Sequence, residues 1–214
     1  MSHKLYWNIL DRKRKKILPL PGSVKDTFYL AGGTALALQL GHRDSEDFDF
    51  FSPVSYDTSS LFEELKKTYF SFQVVRVQED KDTLTVIVDN GVKLSFFTYP
   101  YPLMCDLIET DYMKIAALED IALMKFSAIV SRSLQKDYVD LYFILKKISL
   151  SKLLELVPKK FRGLDINLVL KSLVYFDDVI DEPILYKNGF DVEFTKIKDT
   201  LTDIVKKYLL SENL

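Results

Sequence analysis

Cysteine is nearly missing from this chain. Cys105 is the only one in 214 residues, which excludes an internal disulfide framework and a cysteine-rich zinc site. Net charge is nearly missing too: the balance is −2 at pH 7, so the molecule as a whole does not advertise itself to nucleic acid, although a local basic site is compatible with it. Long apolar runs are absent, none approaching the ~20 residues of a membrane span. With no secretory leader pattern visible, the expectation is a cytoplasmic chain with no membrane partner. There is no internal repeat and no low-complexity tract. What remains is an ordinary globular balance, 48% hydrophobic and 28% charged, in a chain long enough for one large domain or two small ones.

Near the N-terminus "DRKRKK", residues 11–16, is followed by "LPLPG". The basic cluster reads as a solvated helix face, with contact to phosphate or RNA as the alternative. The Pro19 and Pro21 pair predicts a turn before the first core strand. "TFYL" then predicts a short buried strand over 27–30, broken at Gly32-Gly33. "TALALQLG" predicts a helix opening at Thr34 and stopping at Gly41. "DFDFF", residues 47–51, alternates at period two and predicts a strand. A helix follows over 59–69, then β-rich runs at 70–78 and 82–89. Asn90-Gly91 is a strong hairpin signal leading into a strand over 92–100. The first part thus predicts a mixed α/β core with a largely meandering sheet. From residue 111 onward apolar residues recur at helical spacing, most clearly in "MKIAALEDIALMKFSAIVSR" and "KDYVDLYFILKK". The expected organisation is an α/β core over 1–110 and a mainly helical part over 111–214.

The chemistry concentrates in "LAGGTALALQLGHRDSEDFDFF", residues 30–51. Asp47 and Asp49 sit two apart on a predicted strand, so their side chains share one face about 7 Å apart. Two carboxylates on one face repel unless a positive group lies between them. A divalent metal solves this, and Mg²⁺ commonly takes one or two carboxylates plus substrate phosphates. A solvated edge strand shows the same pattern. Gly32-Gly33-Thr34, between a strand and a helix, allows backbone N–H groups to turn toward an anion. It also fits a tight turn with Thr34 as the helix N-cap. A phosphate cradle followed by a carboxylate pair on the next strand describes a site for a nucleoside triphosphate and its magnesium. In the second half, Lys125 and Arg132 are two helical turns apart and share a face. Lys136 and Asp137 end the turn that follows, and Asp140 enters the next helix. A surface-charged helical hairpin with ion pairs is the alternative.

The stretch "GGTALALQLGHRDSEDFDFF", followed later by "MKFSAIVSRSLQKDYVDLYFIL" at 124–145, resembles the AbiEii-type toxin family within the DNA polymerase β-like nucleotidyltransferase superfamily. The resemblance spans about residues 28–145. It implies an α+β fold: a polymerase β-like nucleotidyltransferase core, mixed sheet with helices, followed by a mainly helical C-terminal part that completes the site. It implies Mg²⁺ (or Mn²⁺) on Asp47 and Asp49, and NTP as substrate. Nucleotide-binding residues would be Gly32, Gly33, Thr34, Arg43, Ser45, Lys125, Arg132 and Lys136. Catalytic residues would be Asp47, Asp49 and Lys125 with Asp137 and Asp140. His42 is a further pocket donor or a structural histidine, and Tyr99 and Tyr101 either stack on a base or pack.

One position departs from the superfamily pattern. In "VKLSFF", residues 92–97, Ser95 stands where a third carboxylate is usual, and a serine does not replace the charge. The implied activity is Mg-dependent transfer of a nucleoside monophosphate to a hydroxyl acceptor, tRNA or a protein. The implied setting is the toxin half of a toxin–antitoxin or phage-defence system with a cognate antitoxin. The alternatives are a non-catalytic nucleotide-binding relative and a partner-binding protein.

Overall fold

The structure, a computed structural model, describes residues 4–89 and 91–212. Its backbone divides into two compact units. One runs to Pro102 and resumes over Asp106–Ala117; the other takes Leu103–Cys105 and the described chain from Leu118 onward.

The first unit opens with helices α1 (Arg12–Lys16) and α2 (Gly22–Thr27), then β1 (Tyr29–Ala31), α3 (Gly32–Leu40), β2 (Phe48–Ser52) and α4 (Thr58–Thr68). Strands β3 (Val74–Asp80), β4 (Thr83–Val88), β5 (Val92–Thr98), β6 (Ile108–Glu109) and β7 (Lys114–Ile115) follow. All seven described strands join one sheet in the order β3-β4-β5-β2-β1-β7-β6. The expected meander is confined to β3-β4-β5. Beyond it the sheet is mixed, because β2 runs parallel to β5 and β1 parallel to β7. Asn90 of the expected turn lies outside the described residues; the flanking strands pair antiparallel, Val88 opposite Val92.

Period-two patterning decides which face is buried. Phe48 and Phe50 of β2 and Leu94 and Phe96 of β5 are at most 1% exposed, and the Phe50 and Phe96 rings stack 5.2 Å apart. The alternate residues, Asp49 beside Ser95, therefore occupy the opposite face. Helix α3 is built of the good helix formers Ala and Leu and ends where Gly41 adopts φ 68°, a left-handed stop. Two sequence expectations shift. Residues 22–27 form α2 rather than a turn, with Pro21 as the residue before the helix, and the strand begins two residues later than predicted. Helix α3 starts at Gly32 rather than Thr34.

The second unit is helical: α5 (Leu118–Ser131), α6 (Gln135–Leu145), α7 (Leu150–Lys160), α8 (Ile166–Val174) and α9 (Phe194–Glu212). Ile121, Leu123, Phe126, Val139, Leu141, Leu153, Val169, Leu173 and Ile197 are fully buried between them. Asp120 of α5 is fully buried as well: it pairs with Lys160 at 2.8 Å and accepts the backbone N–H of Met104 and Cys105 at 3.0 Å. That carboxylate ties residues 103–105 to the helices.

Candidate active site

In the first unit the site begins at the junction of β1 and α3. Antiparallel pairing sets Ala31 opposite Asp49, so the helix that starts at Gly32 opens against the Asp49 carboxylate. Gly32 has φ +69°, a conformation that disfavours any residue with a Cβ. A Cβ there would stand 3.1 Å from Asp49 Oδ2, and a Cβ on Gly33 would stand 2.8 Å from both Arg43 Nη2 and Ser45 Oγ. Both glycines thus let a carboxylate, a guanidinium and a hydroxyl approach the start of α3 more closely than a side chain would permit.

Residues 41–47 form the loop that carries most of the motif. Arg43 is 5% exposed and donates from Nη1 to the Asp44 carbonyl at 2.8 Å. Asp44 Oδ1 accepts the Ser45 N–H at 2.8 Å. Thr34 does not cap the helix. Its Oγ1 donates to the Asp47 carbonyl and lies 3.0 Å from Ser45 Oγ, which stitches α3 to the segment leading into β2. His42 is fully buried within this loop. Tyr99 and Tyr101 pack on each other, ring centroids 4.8 Å apart, with Phe51 against Tyr99.

The sequence reading missed Arg14. In "DRKRKK" only Arg14 is buried, at 5% exposure, while its neighbours face solvent. Its Nη1 donates to Asp44 Oδ1 at 2.8 Å and to the Ser45 carbonyl, and its Nη2 donates to the Ile9 carbonyl at 3.3 Å. A buried guanidinium needs such partners, and two of them, Asp44 and Ser45, lie in the motif loop. No local signal separates Arg14 from the cations around it.

Asp47 precedes β2, its side chain 46% exposed, and pairs with Lys93 Nζ at 3.2 Å. Ser95, 2% exposed, is the register partner of Asp49, so the expected site of a third acid does fall beside the pair. Among the described residues no cluster of three or more His, Cys, Asp or Glu could hold a metal. Two carboxylates are nonetheless a fitting set for Mg²⁺ or Mn²⁺, which fills its remaining positions with phosphate oxygens and water. A side chain at position 32 would crowd Asp49 Oδ2, and Gly32 avoids this.

In the helical unit, Lys125, Asp137 and Asp140 come together. Lys125 Nζ lies 2.7 Å from Asp137 Oδ1 and 2.6 Å from Asp140 Oδ2, with the lysine 6% and both carboxylates 0% exposed. Arg132, just past the end of α5, meets the other oxygen of Asp137 from Nε at 3.2 Å, so it and Lys125 reach the same carboxylate. Two cations and two carboxylates make a neutral set. Lys136 is apart from it and pairs with Glu182 at 3.2 Å.

Residues 22–207 match the family described as Nucleotidyl transferase AbiEii toxin, Type IV TA system. The chain belongs to this family. As an AbiEii-family member it is a nucleotidyltransferase, and its α+β architecture is the one expected from the sequence. Uncharacterized protein aq_aa25 of Aquifex aeolicus (strain VF5) is 40% identical over 190 residues, covering 85% of this chain and 88% of that one. A candidate nucleotidyltransferase from H. pylori shares the fold with a TM-score of 0.60, at 18% identity, over 94% of this chain and 95% of that one. MenT4, a nucleotidyltransferase toxin from Mycobacterium tuberculosis, does so with a TM-score of 0.55, at 16% identity, over 85% and 76%. The AbiEii-matched segment starts after α1, so Arg14 lies outside it. Among the described residues no helix is long and apolar enough to cross a membrane.

Proposed function

We propose that this AbiEii-family chain transfers a nucleoside monophosphate from an NTP to a hydroxyl acceptor, with Mg²⁺ (or Mn²⁺) held by Asp47 and Asp49. The observation that carries the reading is the start of α3: two glycines let the Asp49 carboxylate and the Arg43–Ser45 pair come together against a helix N-terminus. A helix N-terminus with a guanidinium beside it suits a phosphate. The Gly33 and Thr34 backbone and the Arg43 guanidinium would hold the polyphosphate, Arg43 in bidentate fashion. When bound, the divalent cation supplies polarisation of the α-phosphate and a lowered pKa for the attacking hydroxyl. The acceptor oxygen bonds to the α-phosphorus, the bond to pyrophosphate breaks, and the hydroxyl proton goes to water. In the helical unit Lys125 keeps the role the resemblance implies, a cation for phosphate, with Asp137 and Asp140 holding its ammonium in place. Arg132 restrains Asp137, and Lys136 serves as a peripheral phosphate contact.

The acceptor proposed is tRNA, with a protein hydroxyl as the other outcome, and the partner is a cognate antitoxin. A second reading, nucleotide binding without transfer, draws on one observation: the residue beside Asp49 is a buried serine rather than an acid. The test incubates the purified chain with each labelled NTP, Mg²⁺ and total tRNA, against Asp47→Ala/Asp49→Ala. Label on RNA or on protein, dependent on the Asp pair, is expected. Mg²⁺-dependent binding without transfer supports the second reading, and absence of any NTP binding overturns both.

A further inference from the structure

The polar face of β2 and β5 holds a charge that neither the motifs nor the family reading uses. Register pairing places Asp49 beside Ser95 and Phe48 beside Leu94, so the residues two before, Asp47 and Lys93, are neighbours on the same face. Their 3.2 Å ion pair shows this directly. Along the strip, the inner end has a carboxylate beside a buried hydroxyl, and the outer end has a carboxylate beside an ammonium. Ser95 is 2% exposed, whereas the Lys93 and Asp47 side chains are each 46% exposed.

We propose that Lys93 is a nucleotide-binding residue that gives up Asp47 for a phosphate oxygen when an NTP binds, so that the strip takes one divalent cation rather than two. The inference rests on the nucleotide reading above and adds to it a ligand group and a metal count. Two-metal sites set cations about 3.5–4 Å apart and share carboxylates between them. Here two carboxylates and one ammonium leave a net charge of −1, and the position beside Asp49 is a neutral hydroxyl. A second divalent ion at the outer end would have to sit against the Lys93 ammonium. One divalent ion on the Asp pair leaves the polyphosphate short of positive charge at the side where Lys93 stands. An exposed ion pair is weak, so releasing Asp47 costs little. A lysine is a point charge on a flexible four-carbon stem, able to follow a phosphate that the α3 N-terminus positions.

The experiment uses the full chain and two probes, Mn²⁺ counted by electron paramagnetic resonance and inorganic tripolyphosphate by titration calorimetry in the presence of Mn²⁺. The wild type is expected to bind one Mn²⁺ per chain. Lys93→Gln removes the ammonium that competes for Asp47, so Mn²⁺ should bind up to about fivefold tighter. The same variant loses a charge-assisted phosphate contact, so tripolyphosphate should bind about tenfold weaker or more. Lys93→Arg should restore tripolyphosphate binding. A folding defect weakens both probes together and does not give opposite signs. Two Mn²⁺ per wild-type chain, or a tripolyphosphate affinity unmoved by Lys93→Gln, overturns the inference alone. A wild type that binds neither Mn²⁺ nor any NTP overturns the nucleotide reading beneath it.

Discussion

Gly33→Ala is the sharpest single perturbation of the α3 start, because its two effects separate. Gly33 lies inside the first turn of a nine-residue helix and its φ is not left-handed. On helix propensity alone, alanine there is worth about 0.8–1.0 kcal/mol of added stability. Against this, the new Cβ would stand 2.8 Å from Arg43 Nη2 and from Ser45 Oγ, where ordinary contact begins at 3.4 Å. Both groups must retreat by about 0.6 Å or more, and overpacking of this kind costs about 1–3 kcal/mol. Neither can swing freely: Arg43 is buried and bonded to the Asp44 carbonyl, and Ser45 is held by Thr34 and Arg14. The net expectation is a destabilisation of about 0–2 kcal/mol by urea unfolding. Nucleotide transfer should fall at least about tenfold in kcat/KM, because the displaced groups are the ones proposed to hold phosphate. Gly163→Ala, with nothing within 4 Å of the added Cβ, is the matched control and should change neither. A Gly33→Ala chain with wild-type NTP affinity and turnover would show that Arg43 and Ser45, in their places beside Gly33, hold no phosphate.

Lys125→Met should destabilise the helical unit by about 3–5 kcal/mol, since it removes the ammonium between two carboxylates at 0% exposure; Arg132 still meets Asp137, which favours the lower end. The urea midpoint of the helical unit reads this, and an unchanged midpoint refutes it. Tyr56 gives a pH test: its hydroxyl donates to the Phe96 carbonyl at 2.8 Å, and burial pushes its pKa from 10.0 up to about 12. Above pH 10.0 the unfolded tyrosine ionises while the folded one stays neutral, so stability present below that pH drains away as pH rises toward 12. Tyr56→Phe should flatten the decline of the urea midpoint in this window, and an equally steep decline contradicts it.

Local signals carried much of the architecture. Alanine and leucine closed by Gly41 predicted α3, helical spacing predicted α5 and α6, and Asn90-Gly91 predicted the pairing of β4 with β5. The parallel pairings were not readable. Asp49 and Ser95 are forty-six residues apart, and nothing in either segment specifies a partner. Strands β6 and β7 are two residues each, too short for a period to show. Helix α2 was hidden because Pro-Gly signals a turn as strongly as it signals a helix start.

The site divides along the same line. Gly32, Gly33, Thr34, Arg43, Ser45, Asp47 and Asp49 are contiguous enough that strand and helix periods alone bring them near one another. Cations recruited from elsewhere are invisible until the chain folds. Arg14 and Lys93 both lie outside the quoted motif, yet each pairs with a carboxylate inside it, Asp44 and Asp47. The two pairs differ in what they can do. The Arg14 guanidinium, buried and bonded to two carbonyls besides Asp44, is fixed, because moving it would leave a buried charge without partners. Lys93, half-exposed with a single carboxylate, is free to exchange that partner for another anion. A loop held by an immobile cation at one end and flanked by a mobile one at the other suits a site in which the polyphosphate cradle must stay put while the charge around the departing pyrophosphate changes.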